Sequence, residues 1–231
     1  MPIEKIERFI DGFTRFQQHY YEEAPELYRD LRDGQRPSTL LIGCCDSRVD
    51  PAILLDCDPG DIFTMRNVAN LVPPPRGDIG PQGVLAAIQF AVEELLVERV
   101  IVLGHSGCGG IRALMQGRGQ APQPADFVGS WMAIAEPARE RVLQQLPEAS
   151  DEERRRACEQ ASIIISLQNL QRLPAVQRRT EQGTLSLHGW YFDLASGSLS
   201  AYSPRVDAFL PVTEAIAAAG RSSAATAPCR K

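Results

Sequence analysis

The sequence has no long uninterrupted apolar segment. None of its apolar runs approaches the roughly 18 residues that a membrane-spanning helix needs. The first residues, MPIEKIERFIDGF, mix both charges and contain no apolar stretch followed by a small-residue cleavage site, so no secretory signal is predicted. The simplest expectation is a soluble, cytoplasmic protein with no membrane partner.

The sequence also lacks clusters of basic residues, and its formal net charge is −5. A nucleic-acid-binding protein would need Lys and Arg clustered on one surface. The three arginines at 154–156 directly follow three acidic residues at 151–153, an arrangement typical of a solvated helix face. We therefore expect no nucleic-acid partner.

Histidine is scarce, with three residues, and there are six cysteines. In a reducing compartment such cysteines are more often buried thiols or metal ligands than disulfides. Cys57 and Cys158 lie in segments predicted to be buried or half-buried, and Cys229 lies near the C-terminus. We assign these three no chemical role.

Short apolar runs alternate with amphipathic segments along most of the chain. The predicted strands are 38–45, 61–67, 99–104, 183–194 and 198–203. One or two amphipathic helices are predicted within 3–33. They are followed by predicted helices over 81–97, the segment IRALMQG, 126–146 and 151–172. This alternation predicts an α/β fold with a central, mostly parallel β-sheet flanked by helices.

The domain organisation predicted is simple. One domain covers residues 1–215, and its N-terminal helical arm, about residues 1–34, carries an apolar stripe that we expect to pack on a partner subunit. Residues 216–231, rich in Ala and Ser, are predicted to be a disordered tail.

The unusual side chains follow two of the predicted strands. Cys44, Cys45 and Asp46 end the first, while His105 and Cys108 follow the third. Ligands of open α/β sheets bind at the carboxyl ends of strands, so neighbouring strands would bring these residues into one crevice. Two thiolates and one imidazole suit zinc, and three protein ligands leave a position open, as in catalytic zinc sites.

Strand alternation distinguishes the two adjacent cysteines. Side chains at 44 and 46 point to one face of an extended strand and the side chain at 45 to the other. We therefore predict that Cys44 is the ligand, on the same face as Asp46 and Arg48, and that Cys45 is a packed neighbour. Whether Asp46 itself occupies the fourth metal position in some state stays open.

Three motifs together carry a resemblance to a known family. CCDSRVDP (44–51), RNVANLVPP (66–74) and GHSGCGG (104–110) resemble the β-class carbonic anhydrases, and the resemblance extends from about residue 3 to 205. It implies reversible hydration of carbon dioxide to bicarbonate and a proton by zinc-bound hydroxide, with one Zn²⁺ per subunit. It also implies a homodimer or a higher even-numbered homo-oligomer.

The resemblance assigns roles to individual positions. Its zinc ligands are Cys44, His105 and Cys108, and its catalytic acid–guanidinium pair is Asp46 and Arg48. Its substrate-binding residues are Gln35, Phe63, Val68, Phe90 and the backbone N–H of Gly109. In the family the pocket lies at a dimer interface, and some wall residues come from the neighbouring subunit.

This chain also departs from its relatives. Many relatives have Tyr where this chain has Phe90, so a pocket hydroxyl is lost, and most have a small residue where it has Cys45. One subgroup binds inhibitory bicarbonate with a Trp and a Tyr at the positions of Leu41 and Phe192. Although Arg66 of that site is present, we expect weak or absent inhibition of this kind.

Two other functions fit the same residues. A hydrolase of carbon disulfide or carbonyl sulfide could use this scaffold and ligand set. A zinc protein capped by Asp46 could instead be a catalytically silent bicarbonate sensor or scaffold. A redox pair formed by Cys44 and Cys45 is disfavoured, because a disulfide between adjacent cysteines is strained.

Overall fold

The protein is built around one mixed sheet. The computed structural model describes residues 4–75, 82–121 and 125–215. Its strands are β1 (Thr39–Cys44), β2 (Ile62–Asn67), β3 (Arg99–His105), β4 (Ser186–Phe192), β5 (Leu199–Ser203) and β6 (Ala208–Pro211). Their order is β2-β1-β3-β4-β5-β6, and the first four are parallel while β5 and β6 are antiparallel. The predicted mostly parallel α/β fold is confirmed.

Helices cover both faces of the sheet. They are α1 (Glu4–Gln17), α2 (Glu26–Leu31), α3 (Pro51–Leu55), α4 (Gly83–Gln89), α5 (Gly109–Met115), α6 (Phe127–Met132), α7 (Glu136–Gln145), α8 (Asp151–Gln171) and α9 (Pro174–Glu181). The longest, α8, begins at a capping box in which Ser150 and Glu153 each satisfy a backbone N–H of the other. None of the helices in these ranges combines the length and apolarity of a membrane span.

The core follows from side-chain alternation along the strands. Leu40 and Ile42 are fully buried on one face, in a cluster with Ile88 of α4 and Ile163 of α8. Leu41 faces the opposite side, in a smaller cluster packed against α3. Because β1 lies in the middle of the parallel part and is buried on both faces, its end is held rigidly.

The N-terminal helix α1 is largely exposed. Its apolar side chains at 6, 9, 10 and 13 are all exposed in the single chain, whereas Phe16 packs against rings of Tyr20 and Tyr28 and so ties α1 to α2. The predicted apolar stripe is therefore present. The partner predicted to cover it is not part of the structure, so the packing of the arm stays a prediction.

Several predicted elements differ in detail. The helix predicted over 126–146 is divided by a 3₁₀ turn, Ala133–Ala135, just before Pro137, which cannot donate the next helical hydrogen bond. The helix predicted over 81–97 is α-helical only over 83–89 and ends in a π-turn, Phe90–Glu94. The short elements α3, α9 and β6 were not predicted. The predicted tail, 216–231, lies outside the described residues.

Candidate metal centre

The carboxyl ends of β1 and β3 meet at one edge of the sheet. The two strands are parallel neighbours, with Gly43 opposite Leu103. Cys44 and His105 are the last residues of these strands, and Cys108 immediately precedes α5. The ligand atoms of the three residues all lie within 4.8 Å of one another, and all three residues are buried. The structure thus brings together the three residues predicted as ligands.

The imidazole of His105 is oriented for coordination. Its Nδ1–H donates to the carbonyl of Ser106 at 3.0 Å, which leaves a lone pair on Nε2. That Nε2 atom is buried and has no hydrogen-bond partner. A buried acceptor without a partner is costly, and a metal ion beside two thiols would satisfy it.

The Cys44 and Cys108 thiols are joined by a hydrogen bond that shifts their pKa values in opposite directions. The pKa of Cys44 is lowered, chiefly by a hydrogen bond with the Cys108 thiol, while the pKa of Cys108 is raised because it keeps that proton. Burial opposes a charge on His105, but the neighbouring Cys44 thiolate outweighs burial and raises the pKa of the imidazole. A bound divalent cation removes both thiol protons. The donor set fits zinc.

Backbone N–H groups surround both sulfur atoms. The N–H of Asp46 donates to Cys44 Sγ at 3.4 Å, and the N–H of Ala69 also favours the Cys44 thiolate. The N–H groups of Gly110 and Ile111, in the first turn of α5, favour the Cys108 thiolate. These donors spread the charge of the two sulfurs and thereby reduce the electron density that they give to a metal.

Asp46 and Arg48 form a paired group beside the cluster. Arg48 Nη2 and Nε donate to the two carboxylate oxygens of Asp46 at 2.7 and 2.9 Å, and the Arg48 backbone N–H donates at 3.0 Å. These hydrogen bonds hold the pKa of Asp46 well below its usual range. Its Oδ2 lies 3.9 Å from His105 Nε2, so the ionised carboxylate faces the position between the three ligands.

Arg66 fixes the loop that follows Cys44. Its guanidinium donates to the carbonyls of Cys44, Asp46 and Val49 and to the carboxylate of Asp50, at 2.8 to 3.1 Å. A side chain with four such bonds is committed to the loop in this conformation. Its role as the clamp of this loop was not apparent in the sequence.

The remaining predicted residues lie at different distances from the cluster. Val68 borders the loop that carries Cys108, called the ligand loop below, since a Cβ added at Gly110 would lie 2.8 Å from Val68 Cγ1. Gly109 opens α5 and has free space around it. Cys45 lies outside the cluster, as predicted, but the prediction that it is packed is wrong, because its side chain is exposed. Gln35 is exposed in the segment before β1.

Phe63 and Phe90 are not brought to this cluster within one chain. Phe63 is opposite Leu40, whereas Cys44 is opposite Asn67. Phe63 thus lies four residues before the position on β2 that is paired with Cys44, a separation of about 13 Å at about 3.3 Å per residue. The rings of Phe63 and Phe90 instead pair with each other, with centroids 5.9 Å apart.

A buried carboxylate near Cys108 was missed in the sequence. Glu159 of α8 is only 3% exposed, and burial raises its pKa. It accepts hydrogen bonds from the Cys108 backbone N–H and from the hydroxyl of Tyr191. The available signal was a single acid followed closely by an apolar stretch, ACEQASIII, within a helix.

Comparison with known proteins agrees with the geometry. The family described as carbonic anhydrase matches residues 39–199. Beta carbonic anhydrase 3 of Arabidopsis thaliana is 35% identical over 201 residues, covering 87% of this chain and 78% of the relative. The chloroplastic beta carbonic anhydrase 5 of the same plant is 40% identical over 181 residues, and the chain spans 59% of its length.

Solved structures share the fold. The β-carbonic anhydrase CcaA is 32% identical with a TM-score of 0.83, over 90% of this chain and 92% of that one. One of two tetrameric β-carbonic anhydrases from Sordaria macrospora is 26% identical with a TM-score of 0.74, over 86% of this chain and 96% of that one. With its sequence matches, fold and Cys-His-Cys cluster, this chain belongs to the β-class carbonic anhydrases, zinc-dependent lyases that reversibly hydrate carbon dioxide.

Proposed function

We propose that carbon dioxide is hydrated at the Cys44–His105–Cys108 cluster, with Asp46 and Arg48 as the catalytic pair beside it. The observation that supports this most is the buried cluster itself, whose three ligand atoms lie within 4.8 Å of one another and face an ionised carboxylate. Zinc, when bound, lowers the pKa of a coordinated water to about 7 and so supplies a nucleophile near neutral pH.

Asp46 acts as a hydrogen-bond acceptor in this scheme. Because Arg48 keeps its carboxylate ionised, Oδ2 can accept a hydrogen bond from the nucleophile and orient its lone pair toward carbon dioxide. The guanidinium fixes the carboxylate through two parallel bonds, a geometry that lysine could not reproduce. Arg48 also donates to the carbonyl of Gly107 at 3.1 Å, which joins the pair to the loop that carries Cys108.

The substrate pocket needs an apolar wall that one chain does not complete. Val68 is 38% exposed and Phe90 is 44% exposed, while Phe63 and Phe90 lie at the opposite end of β2 from the cluster. We propose a homodimer, or a higher even-numbered assembly, in which the Phe63–Phe90 pair of one subunit walls the site of the other. Gln35 and the Gly109 N–H are proposed donors to bicarbonate, and the tetrameric relatives from Sordaria macrospora support an even-numbered assembly.

The test compares Asp46→Asn with the wild-type enzyme. The isosteric amide cannot act as the same acceptor, so the rate of carbon dioxide hydration should fall by about 10²-fold or more, while zinc content stays near one per chain. Asp58→Asn, an exposed acid in the turn before β2, is the matched control and should keep full activity. Stopped-flow hydration and elemental analysis give the two readouts. Full activity of the Asp46 variant at full zinc content would rule out the proposed role.

A further inference from the structure

The buried carboxylate of Glu159 is unexplained by the reaction itself. It is 3% exposed, it is not among the three ligand residues of the cluster, and the ion pairs of the described residues do not include it. A buried carboxylate without an ion-pair partner is costly. Its presence within the packed face of α8 therefore calls for a structural or functional reason.

Both oxygens of Glu159 are engaged. Oε1 accepts from the backbone N–H of Cys108 at 3.1 Å, and Oε2 accepts from the hydroxyl of Tyr191 at 2.8 Å. Tyr191 is 1% exposed and lies on β4, the strand next to β3. The carboxylate is thus held by the sheet on one side and holds the ligand loop on the other.

The start of α5 has no side-chain cap. Cys108 is the residue that caps the start of α5, but its side chain makes no capping hydrogen bond. Its thiol faces Cys44 and His105 instead, and the residue is 2% exposed. Without Glu159, its buried N–H would lack this acceptor.

The decisive detail is that two side chains hold one peptide unit. The carbonyl of Gly107 accepts from Arg48 at 3.1 Å, and the N–H of the same peptide bond donates to Glu159. A planar peptide held at its oxygen by the Arg48 guanidinium and at its hydrogen by a Glu159 carboxyl oxygen has little freedom to rotate. The direction of the following Cα–Cβ bond of Cys108 is thereby set.

We propose that Glu159 is a positioning residue for the zinc ligand Cys108. Together with Arg48 it clamps the Gly107–Cys108 peptide, and it does so as a hydrogen-bond acceptor anchored by Tyr191. This inference rests on the proposed zinc centre. It concerns the hold on the metal rather than a contact with carbon dioxide.

The experiment measures zinc affinity and zinc release rate with a chromogenic chelator. Glu159→Ala should weaken zinc binding by about 10- to 100-fold, the usual effect of removing an outer partner of a ligand. Glu159→Gln should restore most of the affinity, because the amide oxygen can still accept from the Cys108 N–H. Tyr191→Phe should have a smaller effect than Glu159→Ala. The visible spectrum of the cobalt-substituted protein reports ligand geometry directly and should shift in the Ala variant but not in the Gln variant.

Ser162→Ala is the matched control. Ser162 lies one turn further along α8, is 1% exposed, and donates only to the helix carbonyl of Glu159 at 2.8 Å, so its removal should leave zinc affinity unchanged. Unaltered affinity in Glu159→Ala, or a Gln variant as weak as the Ala variant, would overturn the proposal. If the Ala variant does not fold, Tyr191→Phe decides the question: zinc binding weaker than in the wild type supports the proposal, and unchanged binding overturns it. A wild-type enzyme that retains no zinc would instead refute the proposed metal centre.

Discussion

At the scale of single residues, the two adjacent cysteines differ because their side chains point to opposite sides of the extended backbone at the end of β1. Cys44 is the last residue of β1 and is buried, whereas Cys45 is exposed. The backbone N–H of Cys45 still bonds to Asn67 at 2.9 Å, so the extended geometry continues far enough for the alternation of side chains to hold. The direction of each side chain, rather than its chemistry, separates them.

This difference predicts opposite outcomes for two matched substitutions. Cys44→Ser should lose stoichiometric zinc and activity together, because a hydroxyl does not replace a thiolate ligand. Cys45→Ser should keep both, since the side chain lies outside the cluster. Zinc content after dialysis, measured beside stopped-flow hydration, distinguishes the two. Loss of zinc from the Cys45 variant would mean that the ligand had been misassigned.

The residues that hold the ligands were harder to predict than the ligands. The spacing of Cys44, His105 and Cys108 at two strand ends is visible in the sequence. The roles of Arg66 and Glu159 depend on contacts 16 to 51 residues apart, which no local pattern encodes. Such partners become apparent only in the folded chain, which places Arg66 of β2 beside β1 and Glu159 of α8 against the loop that carries Cys108.

At the scale of elements, α8 approaches the sheet closely at two glycines. Gly104 of β3 and Gly189 of β4 both face Ile163, and a Cβ added at either would lie 2.7 or 2.8 Å from that side chain. The same helix bonds the loop after β2 through Ser166 and Asn169 and the ligand loop through Glu159. Close contact between α8 and the strands thus positions both loops beside the Cys44–His105–Cys108 cluster.

Gly189→Ala tests this close approach. The new methyl would meet Ile163 Cγ2 at 2.8 Å and Leu167 Cδ1 at 3.0 Å, so we expect a loss of about 1–3 kcal/mol in the free energy of unfolding. Gly83→Ala, at the exposed start of α4 with nothing within 4 Å, should be neutral or slightly stabilising. Denaturant unfolding of the zinc-loaded proteins gives the comparison. Equal stability of the two variants would argue against tight packing at this crossing.

The sequence predicted the elements better where they are long and periodic. The strands that carry the ligands were predicted within about one residue, because buried apolar runs give a strong pattern. Elements α3 and β6, of five and four residues, are too short to produce a clear period. The helix α9 begins at Pro174 and is mostly polar, so its apolar face is weak.

At the scale of the whole molecule, one chain leaves two apolar regions open. Phe90, a wall residue of the proposed pocket, is 44% exposed, and α1 exposes Phe9 at 75% and Phe13 at 58%. Since residues four apart lie on the same face of a helix, these rings form one contiguous apolar stripe. The sequence predicts the stripe but not the surface that covers it, which we propose belongs to another copy of the chain.

The proposed assembly links these two regions, and a double substitution tests the link. Phe9→Ser with Phe13→Ser should shift the protein from a dimer or larger even-numbered species to a monomer. Activity should fall by at least about 10-fold, since the neighbour's apolar wall would be lost, while zinc content stays unchanged because the ligands come from one chain.

The control is Arg8→Ser with Asp11→Ser, two exposed polar residues of the same helix with opposite charges. This variant should change neither the assembly nor the activity. Light scattering after size-exclusion chromatography and stopped-flow hydration provide the readouts. A fully active monomer would contradict the shared pocket, and an unchanged assembly would remove α1 from the interface.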